Sequence, residues 1–439
     1  MGRKIKFLIL ILLTVTTIQA QEKSLSFKKV DSTTYSLYLK QDWKSLLEFG
    51  EISLENGIDF YYLQVRMGIA YYKEGKMLSA IKMFENAYTI NKHDLVVQEY
   101  LYWSYYYSGM ILESRLFYIK LSQPIKDKIN LKLPKINAVD FEFLSTTNVD
   151  YDALLQSDAN LSGSDYRYFT NNYQSFSVGL NHPLSNSLNL YHRLSVLPVA
   201  AVKQENSENI AFSGTETRYY ADMTFSLGNR LYVDTYLNFI FGSFKEQALN
   251  QFQGGGGNFG QSNTSNSFTY FNYIIGGSIT KVSYYVSNKF NISISNLNDY
   301  NQIQGGYTAS FYPFSNASFI PFGSIQFVSE SINSISNSRM VYTGGATFNT
   351  DYISVKAYGN IGEINNFNSN NGSIIYNQVE TVLSELGVVL KFYTDKMIIK
   401  LGYSYMEMEA TNFSEEGLIL QNKYNFNQQN IIGGITWKL

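Results

Sequence analysis

The chain has 439 residues, a formal net charge of −2, no cysteine and three histidines. The lack of cysteine excludes disulfides, zinc–thiolate and iron–sulfur sites, cysteine nucleophiles and the thiol acylated in bacterial lipoproteins. The near-neutral charge gives no indication of nucleic acid as a partner. Charged and aromatic residues each make up 16% of the sequence. After residue 20, no segment is apolar for long enough to form a transmembrane helix.

The N-terminus has the pattern of a secretory signal peptide over residues 1–20. A basic start precedes an apolar run from Phe7 to Val15, and cleavage is predicted after Ala20. The run is shorter than the roughly 20 residues of a membrane-spanning helix, although a retained anchor helix is the alternative interpretation. The sequence therefore predicts export, with residues 21–30 as a short leader.

The hydrophobic pattern of residues 31–123 is helical and repeats. Gln41, Gly75 and Gly109 are each separated by 34 residues, which is the period of the tetratricopeptide repeat (TPR). In the middle copy, Gly68 is small where the two helices of a repeat would cross closely. On these residues the region resembles a TPR array, with one well-matched and two degenerate repeats.

The resemblance implies a groove in which the first helix of each pair binds a protein partner. By repeat phase, that groove would contain Tyr62, Val65, Ile69, Tyr72, Lys73, Val96, Glu99, Trp103, Tyr106 and Tyr107. An exposed aromatic surface favours a partner site. The alternative is that these side chains pack against the rim of the barrel or against one another.

Beyond a linker at residues 124–135, the period changes to two. Over residues 136–439, apolar and polar residues alternate, as Phe141 and Phe143 do with their polar neighbours. Short turns alternate with long polar loops, which is typical of outer-membrane barrels. We therefore expect α and β domains in series: TPR-like repeats, then a transmembrane antiparallel β-barrel of about 14 strands, in a range of about 12–16. A soluble β-sandwich or a β-helix is the alternative.

The connections are predicted from polar and turn-forming residues. Short turns are expected at Ser185–Asn186, Gly228–Asn229, Asn288–Lys289, Asn316–Ala317, Thr350–Asp351 and Asp395–Lys396. Longer loops are expected at 149–171, 204–213, 245–266, 298–302, 331–337, 362–378 and 412–424.

The chain finishes on its last predicted strand. Ile435, Trp437 and Leu439 share one face of that strand. The pattern resembles the C-terminal signal read by the barrel-assembly machinery, which normally ends on an aromatic residue. The resemblance implies that this machinery and outer-membrane lipid are partners.

The inward faces of the predicted strands carry both signs of charge. These lumen-facing candidates are Arg193, Arg218, Asp222, Asp234, Arg339, Lys356, Glu385, Lys391 and Lys400. In a water-filled lumen they would set selectivity for solutes. In a closed barrel they would instead form an internal salt-bridge network or face a plug, and the sequence favours neither.

No catalytic or metal-binding motif is present, and neither an enzyme nor a cofactor is predicted. His192 is the one residue that raises an alternative, because outer-membrane phospholipases use a lipid-facing histidine and serine. The flanking pattern of those enzymes is missing, and Ser195 would point to the opposite face from His192. A lipid-modifying enzyme therefore stays a second alternative.

As a whole, the arrangement resembles TPR-plus-barrel porins that export exopolysaccharides, and the smaller YaiO-type barrels. The resemblance implies a channel or export barrel in the outer membrane of a Gram-negative bacterium, with the N-terminal domain in the periplasm. Polysaccharide or other envelope material would be its cargo, and an envelope protein its partner. The alternative is a structural or assembly component of an envelope or secretion complex with a closed barrel.

Overall fold

The computed structural model describes residues 25–156, 165–205, 208–248, 267–333, 335–413 and 419–439. The predicted signal peptide and the first residues of the leader lie outside this part of the chain. The chain divides into two compact units, one ending at Leu101 and the other running from Tyr102 to Leu439.

Helices account for the chain before the first strand. In the described residues they are α1 (Phe27–Leu39), α2 (Trp43–Glu55), α3 (Tyr61–Lys73), α4 (Met77–Ile90), α5 (Leu95–Tyr107), α6 (Ile111–Lys120) and α7 (Gln123–Ile129). Helix α7 occupies about half of the predicted linker, because Pro124 lies in its first turn, where no backbone N–H donor is needed. Within the described ranges, none of the helices has the length and apolarity to cross a membrane.

The 34-residue spacing marks the turn between paired helices. Gln41, Gly75 and Gly109 have φ of 56°, 71° and 82°. In each turn the N–H of that residue donates to the carbonyl three residues back, and the next N–H donates to the carbonyl five residues back. This is the Schellman termination, in which a left-handed residue ends a helix. The same helix–turn–helix connection therefore occurs three times.

Helices of the first unit approach closely at glycine. A Cβ added to Gly68 of α3 would lie 2.7 Å from Cε1 of Phe84 in α4. Phe84 is fully buried. The small residue at 68 is therefore required by the packing of its own helix pair, as the sequence pattern indicated.

Gly68→Val is expected to destabilise this helix pair by about 1–3 kcal/mol, because the branched side chain would displace Phe84 from its site. The measurement is helical unfolding of the full chain in detergent, followed by circular dichroism. Lys73→Val places the same side chain at an exposed position of the same helix and serves as the control. Equal unfolding curves for the two variants would contradict the packing argument.

The second half of the chain is built from antiparallel strands. They are β1 (Ala138–Asn148), β2 (Tyr166–Pro183), β3 (Leu188–Glu205), β4 (Glu208–Ser226), β5 (Leu231–Ala248), β6 (Ser267–Val282), β7 (Val286–Ser295), β8 (Asn301–Phe311), β9 (Phe319–Ile332), β10 (Ile335–Asn349), β11 (Ile353–Ile364), β12 (Phe367–Ser369), β13 (Ile374–Tyr376), β14 (Thr381–Tyr393), β15 (Met397–Phe413) and β16 (Ile419–Lys438). A short helix, α8 (Tyr151–Gln156), lies between β1 and β2.

Fourteen of these described strands form a closed barrel in chain order, with β11 paired to β14 across the excluded β12 and β13. The barrel closes where β1 pairs with β16, with Val139 opposite Trp437. The remaining two strands, β12 and β13, pair only with each other. The predicted fold class, helices followed by an antiparallel barrel of about 14 strands, is confirmed.

The outer face of the barrel is apolar. Phe141, Phe176, Ile292 and Leu386 are each more than half exposed, although they are large and hydrophobic. A surface of this kind is stable in hydrocarbon but not in water. Closure of the sheet leaves no unpaired backbone edge, which is the condition for a β-structure to cross a bilayer.

The two ends of the barrel differ. The short-turn end holds the connections β2–β3, β4–β5, β6–β7, β8–β9, β10–β11 and β14–β15, together with the start of β1 and the end of β16. The opposite end is the long-loop end.

The turn predicted at Asn288–Lys289 is wrong, because both residues lie within β7 and the turn falls at 283–285, where Ser283 N donates to Val286 O at 2.7 Å. Much of the predicted loop 204–213 is strand as well.

Candidate functional site

The connection between β11 and β14 lies inside the barrel. We call residues 365–380 the lumen hairpin; β12 and β13 pair within it, with Phe367 opposite Tyr376. Asn370, Asn371 and Gly372 form its tip with φ of 51°, 56° and 73°, a conformation that asparagine and glycine tolerate best. This stretch was predicted as a longer polar loop over residues 362–378, and its contacts place it in the lumen.

Hydrogen bonds join the lumen hairpin to strands around most of the barrel wall. They run from Arg193 Nη2 to Ser373 O (2.7 Å), Arg218 Nη2 to Asn377 Oδ1 (3.0 Å), Asn238 Nδ2 to Gly372 O (3.0 Å), Lys289 Nζ to Asn371 Oδ1 (2.6 Å), Gln304 Nε2 to Asn368 O (2.7 Å), Asn368 Nδ2 to Ser293 Oγ (3.1 Å) and Tyr376 OH to Glu385 Oε2 (2.7 Å). Because donors and acceptors come from β3, β4, β5, β7, β8 and β14, the hairpin is fixed across the lumen rather than against one strand.

Two predicted lumen acids meet the tip of the hairpin, one directly and the other through a lysine. Lys289 approaches Asp234 at 3.9 Å and donates to Asn371. Asn371 Nδ2 in turn donates to Asp222 Oδ2 at 3.3 Å. Ser278 Oγ donates to Asp234 Oδ2 at 2.7 Å. Asp234 therefore has a cation beside it, whereas Asp222 is held by the side-chain amide at the tip of the hairpin.

A second anchor lies where the hairpin begins. Arg339 pairs with Glu330 at 2.6 Å, and both side chains are only 5% exposed. Arg339 Nε also donates to Glu363 O at 2.9 Å, and its guanidinium contacts Asn365 O. Gln302 Nε2 donates to Glu330 at 3.2 Å. The pair thus holds the end of β11 and the first residues of the hairpin to β9 and β10.

Glu385 and Glu216 hold the returning half of the hairpin. Glu385 accepts hydrogen bonds from Tyr358 OH at 3.0 Å and Asn360 Nδ2 at 2.8 Å, in addition to Tyr376. Glu216 pairs with Arg218 and accepts from Asn377 Nδ2 at 2.9 Å. Each carboxylate satisfies several donors, which is the condition for burying a charge at low cost.

The predicted lumen lysines have three different settings. Lys400 forms an ion pair with Glu142. Lys356 Nζ lies 5.0 Å from the centre of the Phe322 ring, within the range of a cation–π contact. Lys391 lies opposite Lys400 in the β14–β15 register and lines the smaller cavity described below.

Toward the long-loop end, apolar side chains form a buried cluster against the hairpin. The cluster includes Phe367 of the hairpin, Leu154 of α8 and Phe426 of β16, each less than a tenth exposed. Arg167 Nη2 caps α8 by donating to Leu154 O at 2.9 Å. Arg167 also pairs in register with Asn412, so β2 reaches β15 directly at this end.

The described residues of the lumen enclose a larger cavity between the lumen hairpin and the wall, and a smaller cavity that wall strands alone line. The larger, about 470 Å³, has an apolar aromatic side that includes Phe212 and a side rich in serine and charged residues. The smaller, about 210 Å³, lies toward the short-turn end, beside Asp140 and Lys391. Glu142, Ser177, Arg193 and Lys400 line both cavities.

The boundary between the cavities is a cluster of three charges. Glu142 lies 3.7 Å from Arg193 and is paired with Lys400. Two cations and one anion give the cluster a formal charge of +1. A solute that passed from one cavity to the other would cross this cluster, so we call the three residues the charge gate. Glu142 was not among the predicted site residues. Its alternation with Phe141 and Phe143 nevertheless indicated that its side chain faces away from lipid.

The predicted groove residues lie in varied environments. Tyr62 and Lys73 are exposed, and Val65 and Tyr72 are partly buried. Ile69 is 5% exposed and cannot line an open groove, because it belongs to the core side of α3. The repeat period had assigned Ile69 to the exposed side of its helix, but the side chain is buried.

The remaining groove candidates lie on α5. Val96 is exposed and Glu99 partly buried. Trp103 stacks on Tyr107 at 5.7 Å and meets Tyr106 edge-on at 5.6 Å. Both tyrosines are exposed, at 58% and 43% for Tyr107 and Tyr106, so these three rings form a partly exposed aromatic cluster.

The C-terminal residues lie on the outer surface. Ile435, Trp437 and Leu439 are 44%, 47% and 67% exposed.

His192 contacts His182 rather than a serine. Ser195 is buried and accepts a hydrogen bond from Ser177 Oγ at 2.8 Å, and it faces the lumen cavity. The described residues thus hold His192 and Ser195 on opposite faces of β3.

Together, the closed sheet, the apolar outer face and the polar, charged lumen define the class of protein. The chain is a membrane-spanning antiparallel β-barrel of the outer-membrane type, preceded by a helical region. No protein-family profile matches the sequence, and no curated protein is similar to it.

Solved structures with a similar fold include several outer-membrane proteins. A FadL homologue from Pseudomonas aeruginosa is 9% identical, with 69% of this chain and 90% of that chain covered and a TM-score of 0.43. A deltaS2 mutant of the monoaromatic hydrocarbon channel TodX is 6% identical, with 69% and 90% covered and a TM-score of 0.41. The outer membrane channel DcaP of Acinetobacter baumannii is 13% identical, with 69% and 96% covered and a TM-score of 0.30.

Proposed function

We propose that the protein is an outer-membrane channel for small solutes, held closed by the lumen hairpin. The observation that supports this function is a pair of adjoining cavities that share the charge gate, the larger beside the hairpin and the smaller toward the short-turn end. The larger cavity, at about 470 Å³, falls within the roughly 300–1,000 Å³ of small-molecule sites. A solute would follow the wall formed by β1–β3 and β14–β16.

This proposal narrows the range of cargo. A polysaccharide chain needs a continuous polar tunnel, whereas here the hairpin is bonded across the lumen and an apolar cluster lies beside it. Small solutes need only the existing cavities and a modest shift of the hairpin. We therefore place small solutes before polysaccharide as the transported class.

The helical region is proposed to lie in the periplasm and to recruit an envelope protein. In outer-membrane barrels the short turns are periplasmic, and β1, which follows the helices, starts at the short-turn end. The threefold recurrence of one helix–turn–helix connection supports a TPR-like array. The exposed Tyr62 and the aromatic cluster of α5 offer apolar contact area for such a partner.

A closed barrel that anchors the helical region is the second candidate. It is favoured by the many bonds that fix the hairpin, in particular the buried pair of Arg339 and Glu330. Solute flux into proteoliposomes separates the two candidates. A channel predicts entry of small sugars or amino acids above the rate of protein-free vesicles. An anchor predicts the protein-free rate for every solute.

The charge gate makes a specific prediction about selectivity. Glu142→Gln removes the single anion of the gate and leaves two cations, so its formal charge rises from +1 to +2. We expect the current to shift toward anions, measured as a change of reversal potential across a bilayer in a salt gradient. Glu409→Gln, which removes a carboxylate that pairs with the exposed Lys423, is the control and should leave the reversal potential unchanged. An unchanged value for Glu142→Gln would place the path elsewhere.

A further inference from the structure

His182 and His192 form a pair on the outer face of the β2–β3 hairpin, near the short-turn end. Their Nε2 atoms lie 3.1 Å apart and their ring centres 5.1 Å apart. The two residues sit diagonally across the strands, since His182 is opposite Leu190 and His192 opposite Leu180. Both side chains are partly exposed. His182 is the penultimate residue of β2, so the pair lies at the edge of the lipid-facing surface, next to the solvent at the short-turn end.

The separation of the two nitrogens matches joint binding of one metal ion. Two imidazole nitrogens about 2.0–2.1 Å from a common ion are about 2.9 Å apart at a right angle and about 3.3 Å apart at the tetrahedral angle. The observed 3.1 Å lies inside that interval.

A backbone contact prepares His182 for this role. Its Nδ1 lies 2.9 Å from Lys135 O. A carbonyl oxygen only accepts hydrogen bonds, so Nδ1 carries the proton and Nε2 of the neutral ring keeps a free lone pair. Metal-bound histidines are usually oriented by this kind of outer hydrogen bond. On the other side, the ring of Tyr219 meets His192 edge-on at 6.1 Å and limits its rotation.

We propose that His182 and His192 form a two-ligand site for a divalent transition-metal ion of the imidazole-binding class, Cu²⁺, Ni²⁺ or Zn²⁺. Among the described residues, no group of three or more metal-ligating side chains occurs. Water or an external ligand therefore completes the coordination, and binding is weaker than at a four-ligand structural site. The site is independent of the lumen path, because it lies on the opposite face of the wall.

The composition of the chain makes the site easy to test. It contains three histidines and no cysteine, and His93 is exposed in the helical region. His93→Ala is thus a matched control for His182→Ala and His192→Ala. The purified full chain in detergent is titrated with Zn²⁺ against a chromophoric chelator, and the folded state of each variant is checked by the heat-modifiable mobility of the barrel on gels.

We expect wild type and His93→Ala to bind one Zn²⁺ with equal affinity, and each of the other variants to bind at least about tenfold more weakly. Electron paramagnetic resonance of wild type with one equivalent of Cu²⁺ gives an independent readout, since nitrogen hyperfine splitting counts the ligands. Two nitrogens in wild type and in His93→Ala support the site. Equal affinity in all four proteins, or a Cu²⁺ spectrum without coupled nitrogens in wild type, would overturn it and leave the pair as a hydrogen bond between two imidazoles.

Discussion

Replacing residues 366–379 with a short Gly-Ser linker is expected to convert a barrel with rare openings into one that conducts steadily. Barrels of about 16–18 strands hold a water-filled channel and barrels of about 8 are filled by their own side chains, so a barrel of 14 strands needs a separate element to close it. Without the hairpin, we expect mean single-channel conductance to rise by at least roughly tenfold. The measurement is current across a planar bilayer.

The control for this variant alters a connection that does not reach the lumen. Ser185 and Asn186, in the short turn between β2 and β3, are replaced by Gly-Ser, and the current should match that of the wild type. A hairpin-replaced barrel that is folded and still silent would contradict the proposal, and would assign closure to the apolar cluster around Phe426 and Met408.

Glu330→Ala is expected to give the largest loss of stability among single substitutions in the barrel. Both partners of the Glu330–Arg339 pair are 5% exposed, so the change leaves a buried guanidinium without its carboxylate. Removing one partner of such a pair costs about 3–5 kcal/mol. The measurement is the free energy of unfolding in urea, with the protein in lipid vesicles.

Two further variants show whether that loss of stability comes from the buried, unpaired charge. Glu409→Ala breaks a pair whose lysine, Lys423, is 53% exposed, and should cost less than about 1 kcal/mol. The double variant Glu330→Ala with Arg339→Met removes both charges and should recover most of the stability. Equal losses for Glu330→Ala and Glu409→Ala would show that the buried pair does not hold the hairpin in place.

Local sequence patterns were sufficient to predict the two-part fold. The alternation of Phe141 and Phe143 with acids identified a strand with one lipid face, and the 34-residue spacing of Gln41, Gly75 and Gly109 identified equivalent helix ends. Both features depend on residues close together in the chain, and the periodicity of the sequence is determined by such local relationships.

The turn at Asn288–Lys289 shows the limit of local patterns. Asn and Lys next to each other are typical of a surface turn, but Lys289 faces the lumen and bonds to Asn371, 82 residues away. A charged residue inside a polar lumen has the same local appearance as one in an exposed turn. Only the pairing of β6 with β7 distinguishes the two.

The lumen hairpin was missed for the same reason. Its composition, rich in Asn, Ser and Gly, is that of a solvent-exposed loop, because a polar lumen and water both satisfy hydrogen-bonding side chains. Its contacts join residues far apart, such as Arg193 with Ser373, which are separated by 180 positions. The short apolar run Ile374–Tyr376 inside a polar loop was the one local sign that the segment packs against something.

The central claim is that the hairpin lies inside the barrel, and cysteine cross-linking tests it most directly because the chain has no cysteine of its own. Asn368 Nδ2 lies 3.1 Å from Ser293 Oγ on β7, so Asn368→Cys with Ser293→Cys should be joined efficiently by a short bifunctional thiol reagent in intact outer membranes. Asn368→Cys with Ser404→Cys, on β15 across the barrel, should not be joined. A cross-link in the first pair alone is the result we predict. Absence of that cross-link, with ready labelling of Asn368→Cys by a membrane-impermeant maleimide, would place the hairpin outside the lumen and contradict the account.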